Sequence, residues 1–101
     1  MIYSDEQGMT SSYRSRMEIV AQILHAANGR GETRIKIMYK AFLSYSQLKE
    51  YLEILVEKEL LEYNNKSQIY RTTEKGHAYL KEYEKIGDYV NLKRGTYAYS
   101  R

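Results

Sequence analysis

Residues Tyr39 to Leu61 read YKAFLSYSQLKEYLEILVEKELL. On a wheel of about 100° per residue, Leu48, Tyr51, Leu52, Leu55 and Val56 fall on one side. Ser46, Lys49, Glu50, Glu53 and Glu57 fall opposite, with Gln47 on a flank. This pattern predicts an amphipathic helix with one buried stripe. Ser44 stands just ahead of it, where its hydroxyl can accept a bond from an orphan N–H of the first turn. A shorter helix, Ile35 to Phe42, precedes it and is expected to give Ile35, Met38 and Tyr39 or Phe42 to a core. Only Leu43 and the Ser44 cap join the two. So short a link forces a steep crossing, as in a helix-turn-helix.

Towards the N-terminus, Met17, Val20, Ile23, Leu24 and Ala27 recur at helical spacing. They predict a first helix from Arg14, with Ser15 as a cap, ending near Asn28-Gly29. His25 lies to the side of the stripe and reads as a flank residue. Gly29 and Gly31 bracket Arg30 in a turn, and Glu32 to Arg34 can form a short extended piece. Residues 1–13 are polar and without periodicity, an expected loose arm in which Met9 could be the natural start.

Towards the C-terminus, two short β-prone runs, Leu61 to Tyr63 and Gln68 to Thr72, flank the turn residues Asn64 to Ser67. That is a hairpin pattern. Three helices and a hairpin predict a winged helix-turn-helix over residues 14–72, an α+β fold that is mainly α. Thr73 can then cap a helix starting at Glu74, and Gly76 in its first turn points to close backbone packing. This helix is expected to reach about Arg94, with Gly95 as terminator. Tyr79, Tyr83, Ile86 and Val90 follow the alternating four- and three-residue steps of a coiled-coil seam. Residues 73–95 are therefore expected to be a dimerisation helix that makes a homodimer, and 96–101 a tail.

The chain's 101 residues suit one domain, and its 43% hydrophobic and 29% charged content suit a folded soluble protein. No apolar run approaches the roughly 18 residues of a membrane span. Nothing resembles a secretory signal, so an intracellular location is expected. Cysteine is absent, which excludes disulfides, thiolate nucleophiles and zinc-finger sites. With only His25 and His77 besides, neither a metal nor a cofactor is expected. No nucleophile elbow, phosphate loop or converging carboxylate cluster points to an enzyme.

The net charge of +3 is unevenly spread. Residues 14–42 hold Arg14, Arg16, Arg30, Arg34, Lys36 and Lys40 against Glu18 and Glu32, whereas residues 43–60 hold more acids than bases. A basic shoulder behind a polar helix start fits double-stranded DNA. Tyr45, Ser46, Gln47 and Lys49 stand where a recognition helix reaches base edges; Gln can pair with adenine and Lys with guanine. Asn65, Lys66 and Arg71 of the wing, with Arg34, Lys36 and Lys40, are candidate backbone contacts. Glu50 and Glu53 oppose this, because carboxylates in a groove repel phosphate, unless only the first turns of the helix insert. The same acids favour an alternative, a winged helix that binds protein partners.

The run TRIKIMYKAFLSYSQLKEYLEILVEKELLE from Thr33, with Ile69-Tyr70 and the TEKG of Thr73 to Gly76, resembles the archaeal winged-helix regulators that include the small "10a" chromatin-associated proteins. The resemblance spans about residues 14 to 90. It implies a winged helix whose long C-terminal helix forms an antiparallel coiled-coil dimer, and a DNA-binding, nucleoid-associated role in the cytoplasm. Both a transcriptional regulator and a chromatin-organising protein fit this scaffold, and the Ser-Gln-Lys reading edge favours the regulator. One position departs: Glu59 follows Lys58 where such family members have glycine.

Overall fold

The computed structural model describes residues 14–90. The expected arm (1–13), the last residues of the dimerisation helix (91–95) and the tail (96–101) lie outside them. The order is α1 (Arg16–Ala26), β1 (Glu32–Thr33), α2 (Arg34–Ala41), α3 (Tyr45–Glu57), β2 (Leu61–Asn64), β3 (Ile69–Thr72) and α4 (Glu74–Val90). The strands form one antiparallel sheet ordered β1-β3-β2, with Glu32 opposite Tyr70 and Tyr63 opposite Tyr70 on the other side. The short extended piece before α2 is thus the third strand of the wing.

Each of the first three helices begins at a side-chain cap. Ser15 Oγ accepts the Glu18 N–H and Thr33 Oγ1 the Lys36 N–H. Ser44 and Gln47 form a reciprocal capping box: Ser44 Oγ accepts the Gln47 N–H at 3.2 Å, and Gln47 Oε1 accepts the Ser44 N–H at 3.1 Å. Two orphan donors are thereby satisfied, fixing where α3 starts. Thr73 does the same for α4, accepting the Gly76 N–H at 3.0 Å while its hydroxyl donates to the Glu59 carbonyl at 2.7 Å.

The core joins Ile19, Ile23, Leu24 and Ala27 to Ile37 and Ala41 of α2, Leu48, Leu52 and Leu55 of α3, and Leu61, Tyr70 and Leu80. The stripe expected on α3 is therefore buried as a unit, with Tyr51 and Val56 at its edges. On α1 the burial is wider than expected. Met17 stays 45% exposed, while Ile19 and Ala21 are buried. The reason is that α1 is covered on two sides, by α2 and by α4, so a single-stripe wheel understates its buried surface.

The face of α2 is the main correction. Of the expected core residues Ile35, Met38 and Tyr39 or Phe42, only Met38 packs against the core, while Ile35, Tyr39 and Phe42 are 60%, 69% and 76% exposed. Ile37 and Ala41 are buried in their place, with Met38 half-buried. An eight-residue helix with apolar side chains on several faces has two stripes to choose from. The one carrying the small Ala41 lets α2 sit closely against α1. Arg14 fixes that choice from the far end, its guanidinium donating to the carbonyls of Ala41 at 2.6 Å and Phe42 at 2.8 Å and also meeting Gln22 Oε1.

Two helices end in the same backbone motif. After α2, Phe42 takes φ +55, its N–H bonding to the Tyr39 carbonyl and that of Leu43 to Met38. After α3, Glu59 takes φ +66, its N–H bonding to Val56 and that of Leu60 to Leu55. These are Schellman closures, which favour glycine at the left-handed position because a side chain there crowds the backbone. Glu59 thus keeps the glycine-type conformation, at the strain cost of its side chain. Gly76 meets the requirement read from sequence: a Cβ there would lie 2.4 Å from the Leu60 carbonyl oxygen and 2.6 Å from Thr72 Cγ2.

Two stability changes follow. Glu59→Gly should stabilise the chain by about 0.5–1 kcal/mol, the left-handed penalty less the extra freedom of the unfolded glycine. Gly76→Ala should destabilise it by about 1–3 kcal/mol, because a backbone oxygen is the obstacle. Thermal unfolding followed by circular dichroism checks both, at about 4–8 °C per kcal/mol for a domain of this size.

Candidate nucleic-acid interface

Burial of Leu48, Leu52 and Leu55 turns the opposite side of α3 to solvent. Tyr45, Ser46, Gln47 and Lys49 are all exposed there. They do not act as one edge. Gln47 Oε1 is occupied by the capping box, so only its amide N–H groups remain free of that interaction. Gln47 instead lines a shallow depression with Arg16, Glu50 and Ile54. Tyr45 and Lys49 face the hairpin side, where Arg34 Nη1 donates to the Tyr45 hydroxyl at 3.4 Å. The phenolic oxygens of Tyr70 first, and Tyr45 second, hold the Arg34 guanidinium above its usual pKa by accepting from the charged form.

The backbone-contact candidates divide by their partners. Lys40 Nζ bonds Glu32 Oε2 at 2.8 Å, and this bond, only partly opposed by burial, holds the Glu32 carboxyl below its ordinary pKa. Arg71 Nε bonds Glu62 Oε2 at 2.9 Å across the β2–β3 ladder. Since successive strand residues alternate faces, the Glu62–Arg71 pair lies on the side of the hairpin away from the Tyr63–Tyr70 pair. The structure therefore does not bring Arg71 together with Arg34, Tyr45 and Lys49. Arg34, Lys36, Lys49 and Lys66 take part in no ion pair among the described residues.

Asn65 and Lys66 sit at the exposed wing tip. Asn64 shapes that tip: its Oδ1 accepts the Lys66 N–H at 2.8 Å and the Ser67 N–H at 3.1 Å, and its carbonyl accepts the Gln68 N–H at 2.7 Å. Gln68, at φ +60, closes the turn.

Tyr63 and Tyr70 are part of this surface, although sequence reasoning did not place them in the site. Their rings lie 4.5 Å apart across the ladder and form a wall facing α3. The available signal was alternation in LEYN and IYRT, which puts both on one face once the register is known. Arg16, counted only as shoulder charge, also reaches the α3 surface beside Gln47.

On α4, Tyr79 is half-buried, and its hydroxyl donates to the Met17 carbonyl at 3.1 Å. Burial, with a smaller contribution from Tyr83, raises its pKa. The rings of Tyr79 and Tyr83 stack at 6.4 Å, and both pack against this chain's own core. Ile86, one step along the expected seam, is 49% exposed. Among the described residues, no group of side chains could hold a metal ion, and no helix is long and apolar enough to cross a membrane.

Comparison with curated protein sequences finds no match. Among solved structures, the chain is similar to Sso10a-2, a DNA-binding protein from Sulfolobus solfataricus, with a TM-score of 0.66 and 25% identity over 84% of this chain and 87% of that one. A profile of the winged helix-turn-helix family matches residues 13–91. The three-helix core, the β1-β3-β2 wing and that match together show that this chain belongs to the winged helix-turn-helix family.

Proposed function

We propose that the chain binds double-stranded DNA, with the N-terminal end of α3 in the major groove and the wing on the adjoining backbone, and that it acts as a dimeric transcriptional regulator. One observation carries this: Tyr45, Ser46 and Lys49 are exposed at the capped start of α3, beside an Arg34 guanidinium that no carboxylate among the described residues neutralises. In such a site, phosphate contacts by Arg34, Lys36 and Lys66 supply affinity, and Ser46 and Lys49 read base edges. The similarity to a DNA-binding protein supports the same assignment. Lys40 and Arg71 contribute less, because Glu32 and Glu62 already hold them.

The dimer rests on α4. Its Tyr79, Leu80 and Tyr83 face this chain's own core, whereas Ile86 in the second half is left exposed. A second copy packed there would bury it and present two α3 helices to one duplex.

A chromatin-organising role uses the same contacts without site preference, and a footprint with two discrete half-sites separates the regulator from uniform coating. The alternative of a protein-binding winged helix draws on a specific feature, the exposed stripe Ile35, Tyr39 and Phe42.

Titration of labelled duplex across salt concentrations tests the DNA assignment: log affinity should fall linearly with log salt. Arg34→Ala and Lys66→Ala should each lower that slope by about 1, and Lys40→Ala by clearly less. A flat slope with weak binding in the unsubstituted chain would leave the protein-binding alternative. For the dimer, Ile86→Glu should halve the mass measured by sedimentation equilibrium while the circular dichroism spectrum persists; a chain that is monomeric before substitution refutes it.

A further inference from the structure

Between α3 and the hairpin runs a groove of about 400 Å³, within the size range of small-molecule sites. Its two ends differ in chemistry. At one end stand Arg34 and Lys49, with the Tyr45 hydroxyl accepting from Arg34 Nη1. At the other stand Glu53 and Glu57; Lys49 and Glu57 are eight residues apart on one helix, about 12 Å at 1.5 Å per residue. The walls between are apolar: Leu52 and Val56 on α3, with the tilted rings of Tyr63 and Tyr70 facing them. None of these four charged groups takes part in an ion pair among the described residues.

We propose that this groove binds a small flat organic acid, a carboxylate on one or two fused rings with a hydrogen-bond donor at the opposite edge, and that its binding displaces DNA. The carboxylate meets Arg34 and Lys49, which can hold an anion with charge-assisted bonds. The rings lie against Tyr63, Tyr70 and Val56, where burial of apolar surface and offset aromatic contact favour them. The donor faces Glu53 or Glu57. A ligand carrying negative charge at both ends is rejected by these glutamates, and a purely cationic one by Arg34. The displacement rests on the DNA assignment above, because Arg34 and Lys49 would have to serve both ligands; the binding itself does not.

Calorimetric titration of the full chain without DNA, using three indoles, tests the site. Indole-3-acetate carries the carboxylate and a ring N–H, indole-3-acetamide removes the charge, and tryptamine reverses it. Indole-3-acetate should bind one per chain, about tenfold or more tighter than the amide, with tryptamine weakest. No saturation by any of the three at millimolar concentration overturns the proposal, as does an amide or amine that binds as tightly as the acid. Val56→Phe fills the groove and should weaken indole-3-acetate binding at least tenfold. Tyr63→Ala removes one wall at a half-exposed strand position and should weaken it as well, which guards against a fold defect in the first variant. Undiminished affinity in both places the ligand elsewhere and refutes the site. With indole-3-acetate at ten times its dissociation constant, affinity for duplex should fall about tenfold; an unchanged DNA affinity overturns the displacement. Saturable indole-3-acetate binding by a chain that binds no duplex upholds the ligand site and removes only the DNA assignment.

Discussion

Thr72 ties the hairpin to the helices. It is the one buried polar side chain among the described residues, and its hydroxyl donates to the Leu24 carbonyl at 2.7 Å while its N–H donates to the Ala27 carbonyl at 3.1 Å. Both acceptors are end-of-helix carbonyls of α1 that lack an intrahelical partner. One residue later, the Thr73 N–H bonds the Leu60 carbonyl, and Gly76 presses its backbone against that same oxygen. The end of α1, the exit of α3, the base of the hairpin and the start of α4 therefore meet within a few residues. An unpaired buried hydroxyl or amide costs on the order of 1–3 kcal/mol, so this junction leaves little freedom in the angle between wing and α3. That angle sets the width of the groove between them.

The electrostatics of the surface follow from who is already paired. Lys40 and Arg71 are turned towards Glu32 and Glu62, whereas Arg34, Lys36, Lys49 and Lys66 stay without carboxylate partners among the described residues. A net charge of +3 over 101 residues is too small to attract a polyanion by itself. What matters is that two of the unpaired cations, Arg34 and Lys49, stand together at the groove between α3 and the hairpin. Glu53 and Glu57 line the same groove further along α3.

Among the described residues, three other than glycine hold left-handed backbones: Phe42 and Glu59, which follow α2 and α3, and Gln68, which closes the wing turn just before β3. Hydrogen bonds compensate the strain at the two helix ends, where the Schellman pairs satisfy carbonyls otherwise left open. Phe42 is the costliest in solvent terms, since its ring is also mostly exposed. Together with Ile35 and Tyr39 it makes an apolar ridge beside the helix-turn-helix.

Local chemistry alone determined much of this protein. The α3 stripe, the Ser15 and Ser44 caps and the Asn-rich hairpin are each set by neighbours a few residues away, so spacing and residue type reveal them; at Gly76 the residue type alone signals close packing, although the Leu60 carbonyl it meets is distant in sequence. Tertiary structure decided the rest. The side of α2 that faces inward depends on Arg14, 27 residues away from the carbonyl of Ala41 it binds, and on how closely α1 can approach a small side chain. Whether Lys40 and Arg71 are free depends on Glu32 and Glu62, which only strand pairing and helix placement bring within reach. Eight residues of α2 contain two possible apolar stripes of similar strength, and periodicity cannot choose between them; contact with a distant helix does.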